Sequence, residues 1–364
     1  MTTARTGDRI SEVAGIVVGH HHRLDADVTV GGLTEAGAGW ATGTTVVVVP
    51  DGSVTAVDVR GGGPGTRETD LLDPVNTVLG AHAIVLSGGS AYGLAAADGV
   101  MAALESAGRG LPMDLLGHVV PIVPGAVIFD LPVGGWAQRP TAAFGAAAFA
   151  AAERDFAIGT VGAGAGARAG GLKGGVGTSS LRLDDGPARG LTVGAVVIAN
   201  PVGAVIDPAS GLPWGGDDLA HHRLRQPVAA EIAAHADLSA KGTVLNTTIG
   251  VIATDATLSV AATRRLAMSG HDGLARAIRP AHSPMDGDTL FAVATGEKAA
   301  EAAAEFPMPP GMAAEAPLVA QLGAAAATVV QRAVVSAVLA ATSVATVPAY
   351  RDVLGSALTG VDQR

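Results

Sequence analysis

The 364-residue chain has no cysteine, which excludes disulfides, thiolate metal sites and a cysteine nucleophile together. It has few aromatic residues, 3% against 48% hydrophobic residues, so the interior must be built from small side chains. Alanine and 51 glycines supply them. Close packing of small residues suits stacked layers of secondary structure. Positive charge is scarce: the net charge is −10 and no basic run occurs. That balance argues against a nucleic-acid partner. Lysine is rarer still, with only Lys173, Lys241 and Lys298 against twenty arginines. Met1 to Ile10 lacks an apolar signal core, and a cytoplasmic location is expected. One long apolar run, Ala316 to Val347, has the length of a membrane span. Gln321, Gln331, Arg332 and Ser336 interrupt it, so a buried core helix is expected and no membrane partner.

What is present alternates in a readable way. β-branched content predicts strands over Thr44–Val49, Val54–Val59, Ala83–Ser87, Ala126–Asp130, Thr247–Thr254 and Thr289–Thr295. Leu191–Ala199 and Ala204–Ile206 read as a hairpin around Asn200-Pro201-Val202-Gly203. Helices are expected over Ser90–Ala107, with Ser90 as N-cap and Gly108 as terminator, and over Thr141–Arg154 and Pro227–Ala236. Ser259 caps a further helix running to about Ile278. Glu297–Glu305 reads as helical, Phe306–Pro317 as a linker, and a closing helix begins near Leu318. Strands come in pairs and helices in separate runs. This favours helices packed outside mostly antiparallel or mixed sheets, without internal repeats.

Several motifs carry little. Gly162 to Gly177 lacks both the phosphate-loop Gly-Lys-Ser/Thr and the dinucleotide glycine spacing, and reads as a flexible or close-approach loop. His20-His21-His22 reads as a turn or surface segment, because adjacent residues do not share a face. His271-Asp272-Gly273 falls inside an expected helix. Asn246-Thr247-Thr248 matches a glycosylation sequon, which means nothing in the cytoplasm. No cofactor or metal is implied.

The same Asn246-Thr247 pair has another meaning. A threonine hydroxyl is a weak nucleophile that needs an adjacent base. A free α-amino group on the same residue can serve, with a reference pKa of roughly 7.7–8.0. That amine exists only if the bond after Asn246 is broken, leaving fragments 1–246 and 247–364. The cut would be an N-to-O acyl shift followed by hydrolysis of the ester. Asp286 and Asp288, if extended, point the same way, and repulsion raises the pKa of one to make a proton carrier. Lys173, a lysine kept in an arginine-rich sequence, offers a compact donor whose pKa can fall on burial. Asn200 can donate its amide to a developing oxyanion, a contribution of about 2.7–4 kcal/mol when well placed.

In order and spacing, five segments resemble the DmpA-like family of self-processing aminopeptidases and amide hydrolases. They are Ala56-Val57-Asp58-Val59-Arg60-Gly61-Gly62, Leu86-Ser87-Gly88-Gly89-Ser90-Ala91-Tyr92-Gly93-Leu94, Ala199-Asn200-Pro201-Val202-Gly203, Asn246-Thr247-Thr248-Ile249 and Met285-Asp286-Gly287-Asp288-Thr289-Leu290-Phe291. The carboxylate pair is similar to that of the nylon-oligomer hydrolases within that family. The resemblance implies an α/β fold, a four-layer α/β/β/α sandwich in one self-processing domain over residues 1–364, assembled into homo-oligomers such as tetramers. It implies that Thr247 is the nucleophile, that Asp286 and Asp288 orient and protonate around it, and that Lys173 and Asn200 polarise or hold the reacting carbonyl. The implied substrates are short peptides or small amides and esters. Phe129 stands where the family often has a tyrosine, so a hydroxyl donor is missing. Two other readings remain: an acyltransferase of the ornithine acetyltransferase type, whose cut follows an Ala-Thr-Met-like sequence, and an unprocessed ligand-binding relative.

Overall fold

The computed structural model describes residues 2–3, 7–214, 219–239 and 246–358; Lys241 lies outside them. The strands that matter here, four two-residue strands aside, are β1 (Val17–Leu24), β2 (Ala41–Val48), β3 (Val54–Val59), β4 (Thr66–Arg67), β5 (Ala83–Ser87), β6 (Gly125–Val127), β7 (Arg168–Ala169), β8 (Leu172–Lys173), β9 (Gly175–Arg182), β10 (Thr192–Ala199), β11 (Ile249–Ala256) and β12 (Thr289–Lys298). The main helices are α1 (Ala96–Ser106), α2 (Ala142–Ala150), α3 (Ala229–Ser239), α4 (Val260–Ala277) and α5 (Ala316–Ala340). One five-stranded sheet runs β9-β10-β11-β12-β3 and the other β1-β2-β5-β6-β4. Both are mixed, with parallel pairs only at β11–β12 and β5–β6 within the two sheets.

The period of two along each strand sorts side chains into layers. Ile249, Val251, Ala253, Phe291 and Val293 face the other sheet and meet Val47, Ile84 and Leu86 there. Their neighbours Ile252, Leu290 and Ala292 face outward onto Leu266, Leu274, Val330 and Val334 of α4 and α5. On the second sheet, Val46, Val48, Ala83 and Val85 face outward under Ala96, Val100 and Ala148 of α1 and α2. The result is helix, sheet, sheet, helix, the expected four-layer sandwich. The apolar run of α5 lies in this packing, with Leu322, Val329, Val330, Val334 and Val338 fully buried.

Glycine permits the closest approaches. A β-carbon on Gly177 of β9 would stand 2.0 Å from the Ala333 carbonyl oxygen of α5. The stretch Gly162 to Gly177 is therefore a close-approach segment, and its second part is β7, β8 and the start of β9.

Other expectations need correction. His20-His21-His22 lies within β1, paired with Thr45, Thr44 and Gly43 of β2, and is no turn. Ala204 and Ile206 form only isolated bridges, to Arg279 and Pro213, so β10 pairs with β9 and β11 instead of with them. Ser90 is not the cap: it begins a 3-10 turn at φ 54°, after Gly89 at φ 83°, and the α-helix starts at Ala96. Strand β12 runs on to Lys298, leaving a 3-10 turn over Glu301–Glu305. Ser259 does cap α4, accepting the Ala262 N–H at 3.1 Å, and Gly108 at φ 67° follows α1.

Candidate active site

Strand register gathers the candidate residues at one end of the first sheet. Strands β11 and β12 are parallel with Ile249 beside Thr289, so Thr247 and the Asp286–Asp288 segment precede them side by side. Strand β10 is antiparallel to β11 with Ile198 beside Ile249, which puts Asn200 opposite Thr247. Strand β9 starts at Gly175 beside Ala199, which brings Lys173 to the same end. The crossover from β11 to β12 through α4 thus does what the separation along the sequence cannot.

Thr247 is buried, and its N–H donates to the Asn200 carbonyl at 2.8 Å. Its hydroxyl donates to the carbonyl of Asn246, the group it would attack. Asn246 bridges Asp286 in parallel fashion, and its side-chain amide donates to the Pro201 carbonyl at 2.9 Å. Gly287 sits against the hydroxyl: a β-carbon there would be 2.9 Å from Thr247 Oγ1 and 2.6 Å from the Gly63 carbonyl oxygen.

The two carboxylates flank this glycine outside the turn, which lies just before them at Pro284–Met285; Asp286 makes the parallel bridge to Asn246. Asp286 Oδ1 accepts the Val202 N–H at 3.0 Å and Oδ2 the Ser283 hydroxyl at 2.7 Å. Burial raises its pKa, and the Asp288 charge adds to the rise. Asp288 Oδ1 accepts the Thr248 N–H at 2.8 Å. Its Oδ2 accepts both the His282 N–H at 3.0 Å and His282 Nδ1–H at 2.8 Å. Neither carboxylate bonds the Thr247 hydroxyl directly.

Asn200 and Lys173 are placed differently from the expectation. The Asn200 side chain joins neighbouring elements, accepting the Arg168 N–H at 2.8 Å and donating to the Phe129 carbonyl at 3.3 Å; its backbone carbonyl meets Thr247. Lys173 is 0% exposed, and its ammonium donates to the carbonyls of Gly164 at 2.7 Å and Gly174 at 2.9 Å. Burial lowers its pKa to about 7, and Asp130 opposes the shift. Asp130 is itself pushed up to about 6 by burial, against donation from the Gly89 N–H and the Thr42 hydroxyl. Lys173 therefore interacts electrostatically with Asp130 and makes no hydrogen bond to Thr247.

His282, Asp130 and Arg168 carry no sequence signal of their own. His282 lies outside every helix and strand, and only the fold shows that it holds Asp288. Asp130 and Arg168 line a small pocket with Phe129, Pro132 and Asn246. Among the described residues no group of three His, Asp or Glu could hold a metal ion. The His20 ring is engaged by Thr45 Oγ1 at 2.9 Å and the Ala157 carbonyl at 3.0 Å.

Comparison with known proteins gives the family and the fold. The model of peptidase family S58 matches residues 8–350. An uncharacterized aminopeptidase of Mycobacterium tuberculosis (strain ATCC 25618 / H37Rv) is 57% identical over 352 residues, covering 96% of this chain and 98% of its own. A 6-aminohexanoate-oligomer endohydrolase of Paenarthrobacter ureafaciens is 36% identical over 269 residues, 70% of each chain. Among solved structures, the L-aminopeptidase D-Ala-esterase/amidase of Ochrobactrum anthropi, described as a variant of the Ntn hydrolase fold, superposes with a TM-score of 0.64 at 21% identity. It covers 92% of this chain and 86% of that one.

Proposed function

Since the chain belongs to peptidase family S58 and is a hydrolase, we propose that it activates itself by cutting the Asn246–Thr247 bond and then hydrolyses amides with Thr247 as N-terminal nucleophile. The observation that carries this reading is the position of the Thr247 hydroxyl: it lies against the Asn246 carbonyl, with Gly287 and its two flanking aspartates beside it. In the first stage Thr247 Oγ bonds to the Asn246 carbonyl carbon. The C–N bond breaks, the Oγ proton passes to the Thr247 nitrogen, and an ester joins the two residues. Water hydrolyses the ester to the Asn246 carboxylate and restores the hydroxyl. Asp286, whose pKa burial raises, carries protons in these steps; Asp288 fixes the backbone at Thr248.

In the second stage the new α-amine takes the Oγ proton as the hydroxyl attacks the substrate carbonyl. It then passes that proton to the leaving amine, and water releases the acyl group from Thr247. The substrates are short peptides or small amides, in keeping with aminopeptidase and oligomer-hydrolase relatives. Intact mass tests both stages. The wild type is expected as fragments 1–246 and 247–364, and Thr247→Ala as one uncut, inactive chain. A wild type that hydrolyses peptides while remaining one uncut chain overturns the proposal.

A further inference from the structure

Arg168 pairs with Lys173 across the β7–β8 hairpin, and its backbone N–H is fixed on Asn200. Its side chain lines the pocket beside Asn246, next to Phe129 and Pro132. Its Nε is sealed from solvent without an acceptor. Burial lowers its pKa. Among the described residues the guanidinium makes no ion pair, hydrogen bond or aromatic stack. Other arginines behave differently: Arg67 pairs with Asp98, Arg109 with Asp51 and Arg264 with Asp73. The pocket does contain a carboxylate, Asp130, but its oxygens accept from Gly89 and Thr42, and Lys173 supplies its countercharge.

Arg168 is half-buried: its Nε is sealed without an acceptor while its terminal nitrogens remain open, and a partly desolvated cation of this kind gains from an acceptor of opposite charge. We propose that Arg168 completes its bonding with a carboxylate of the substrate, so that this enzyme selects short substrates carrying a free acid close to the scissile bond. The planar fork of guanidinium matches a carboxylate in charge and shape. A phosphate dianion fits less well, because the pocket offers no second free cation and has apolar walls at Phe129, Pro132 and Val133. Asn246 forms one wall, so the bound acid lies beside the carbonyl that Thr247 attacks. The inference rests on the reading of Thr247 as nucleophile only for that placement.

The test compares L-alanyl-L-alanine with its C-terminal amide, a near-isosteric group that is neutral. The wild type is expected to favour the acid. In Arg168→Met, kcat/KM for the acid should fall about 10–100-fold relative to the amide, through KM, as befits loss of a charge-assisted pair. Arg168→Lys should restore part of the preference, which a merely structural role would not do. Equal losses for acid and amide, or no acid preference in the wild type, overturn the proposal. A second arm uses the same dipeptide acid with its amide carbonyl reduced to methylene, titrated calorimetrically into wild type and Arg168→Met. Weaker binding to the variant supports the site and equal binding overturns it. That arm needs no chemistry at Thr247, so an uncut, inactive wild type would defeat the nucleophile reading alone.

Discussion

Burial makes Lys173 a reporter of pH. Its pKa is lowered from 10.5 to about 7 in the folded chain. Between those values the unfolded state binds more protons than the folded state, so this residue makes stability rise with pH. Asp130, raised from 3.8 to about 6, acts in the opposite sense: it makes stability fall as pH rises through that window. Lys173→Met should abolish the rise between pH 7 and 10.5. It should also extend the Asp130 fall above pH 6, because the opposing cation is gone. Urea midpoints of wild type and variant across pH 4 to 10 measure both. An unchanged profile above pH 7 would mean that the ammonium is not desolvated. A second prediction concerns His282, whose ring and N–H both hold Asp288 Oδ2. His282→Ala leaves a buried carboxylate short of one donor, an expected loss of about 1–3 kcal/mol. Denaturant melts check the stability, and the rate of appearance of the 247–364 fragment checks the consequence for the site. That Thr247, Asp286, Asp288 and Asn200 lie together at one sheet end was legible because their order and spacing resemble those of a known family. His282 and Arg168 were not, because a lone histidine in a proline-flanked loop and one arginine among twenty look ordinary in sequence.

At the scale of the element, the legible parts were those where local preference and burial agree. Strands β11 and β12 are rich in β-branched and apolar residues, and the Ser259 cap announces α4. Strand β9 (Gly175–Arg182) was unreadable because its glycines suggest a loop. They are there because α5 lies against the strand backbone. Strand β1 was hidden by its three histidines, of which His20 finds partners only across the fold. Gly177→Ala tests this contact: its β-carbon would stand 2.0 Å from a backbone oxygen that no rotamer change can move. Overpacking of this kind costs about 1–3 kcal/mol. A lowered thermal midpoint with a normal circular dichroism spectrum is expected, whereas an unchanged midpoint would show that α5 shifts freely.

At the scale of the whole molecule, the order β9-β10-β11-β12-β3 interleaves the two prospective fragments. Residues 1–246 supply β9, β10 and β3, while residues 247–364 supply β11 and β12 between them. Hydrogen-bonded ladders therefore join the fragments at β10–β11 and at β12–β3. The cut protein should elute as one species in native gel filtration and separate only in denaturant. Fragments that part under native conditions would contradict this topology.

That interleaving also orders events in time. Asn200, the two aspartates and the threonine meet only after both central strands are seated. On the proposed reading of Thr247, a nascent or misfolded chain would lack the means to break its own backbone. Appearance of the amine at residue 247 would certify that the sheet is finished, giving the molecule a chemical mark of correct assembly that needs no chaperone or protease to write it.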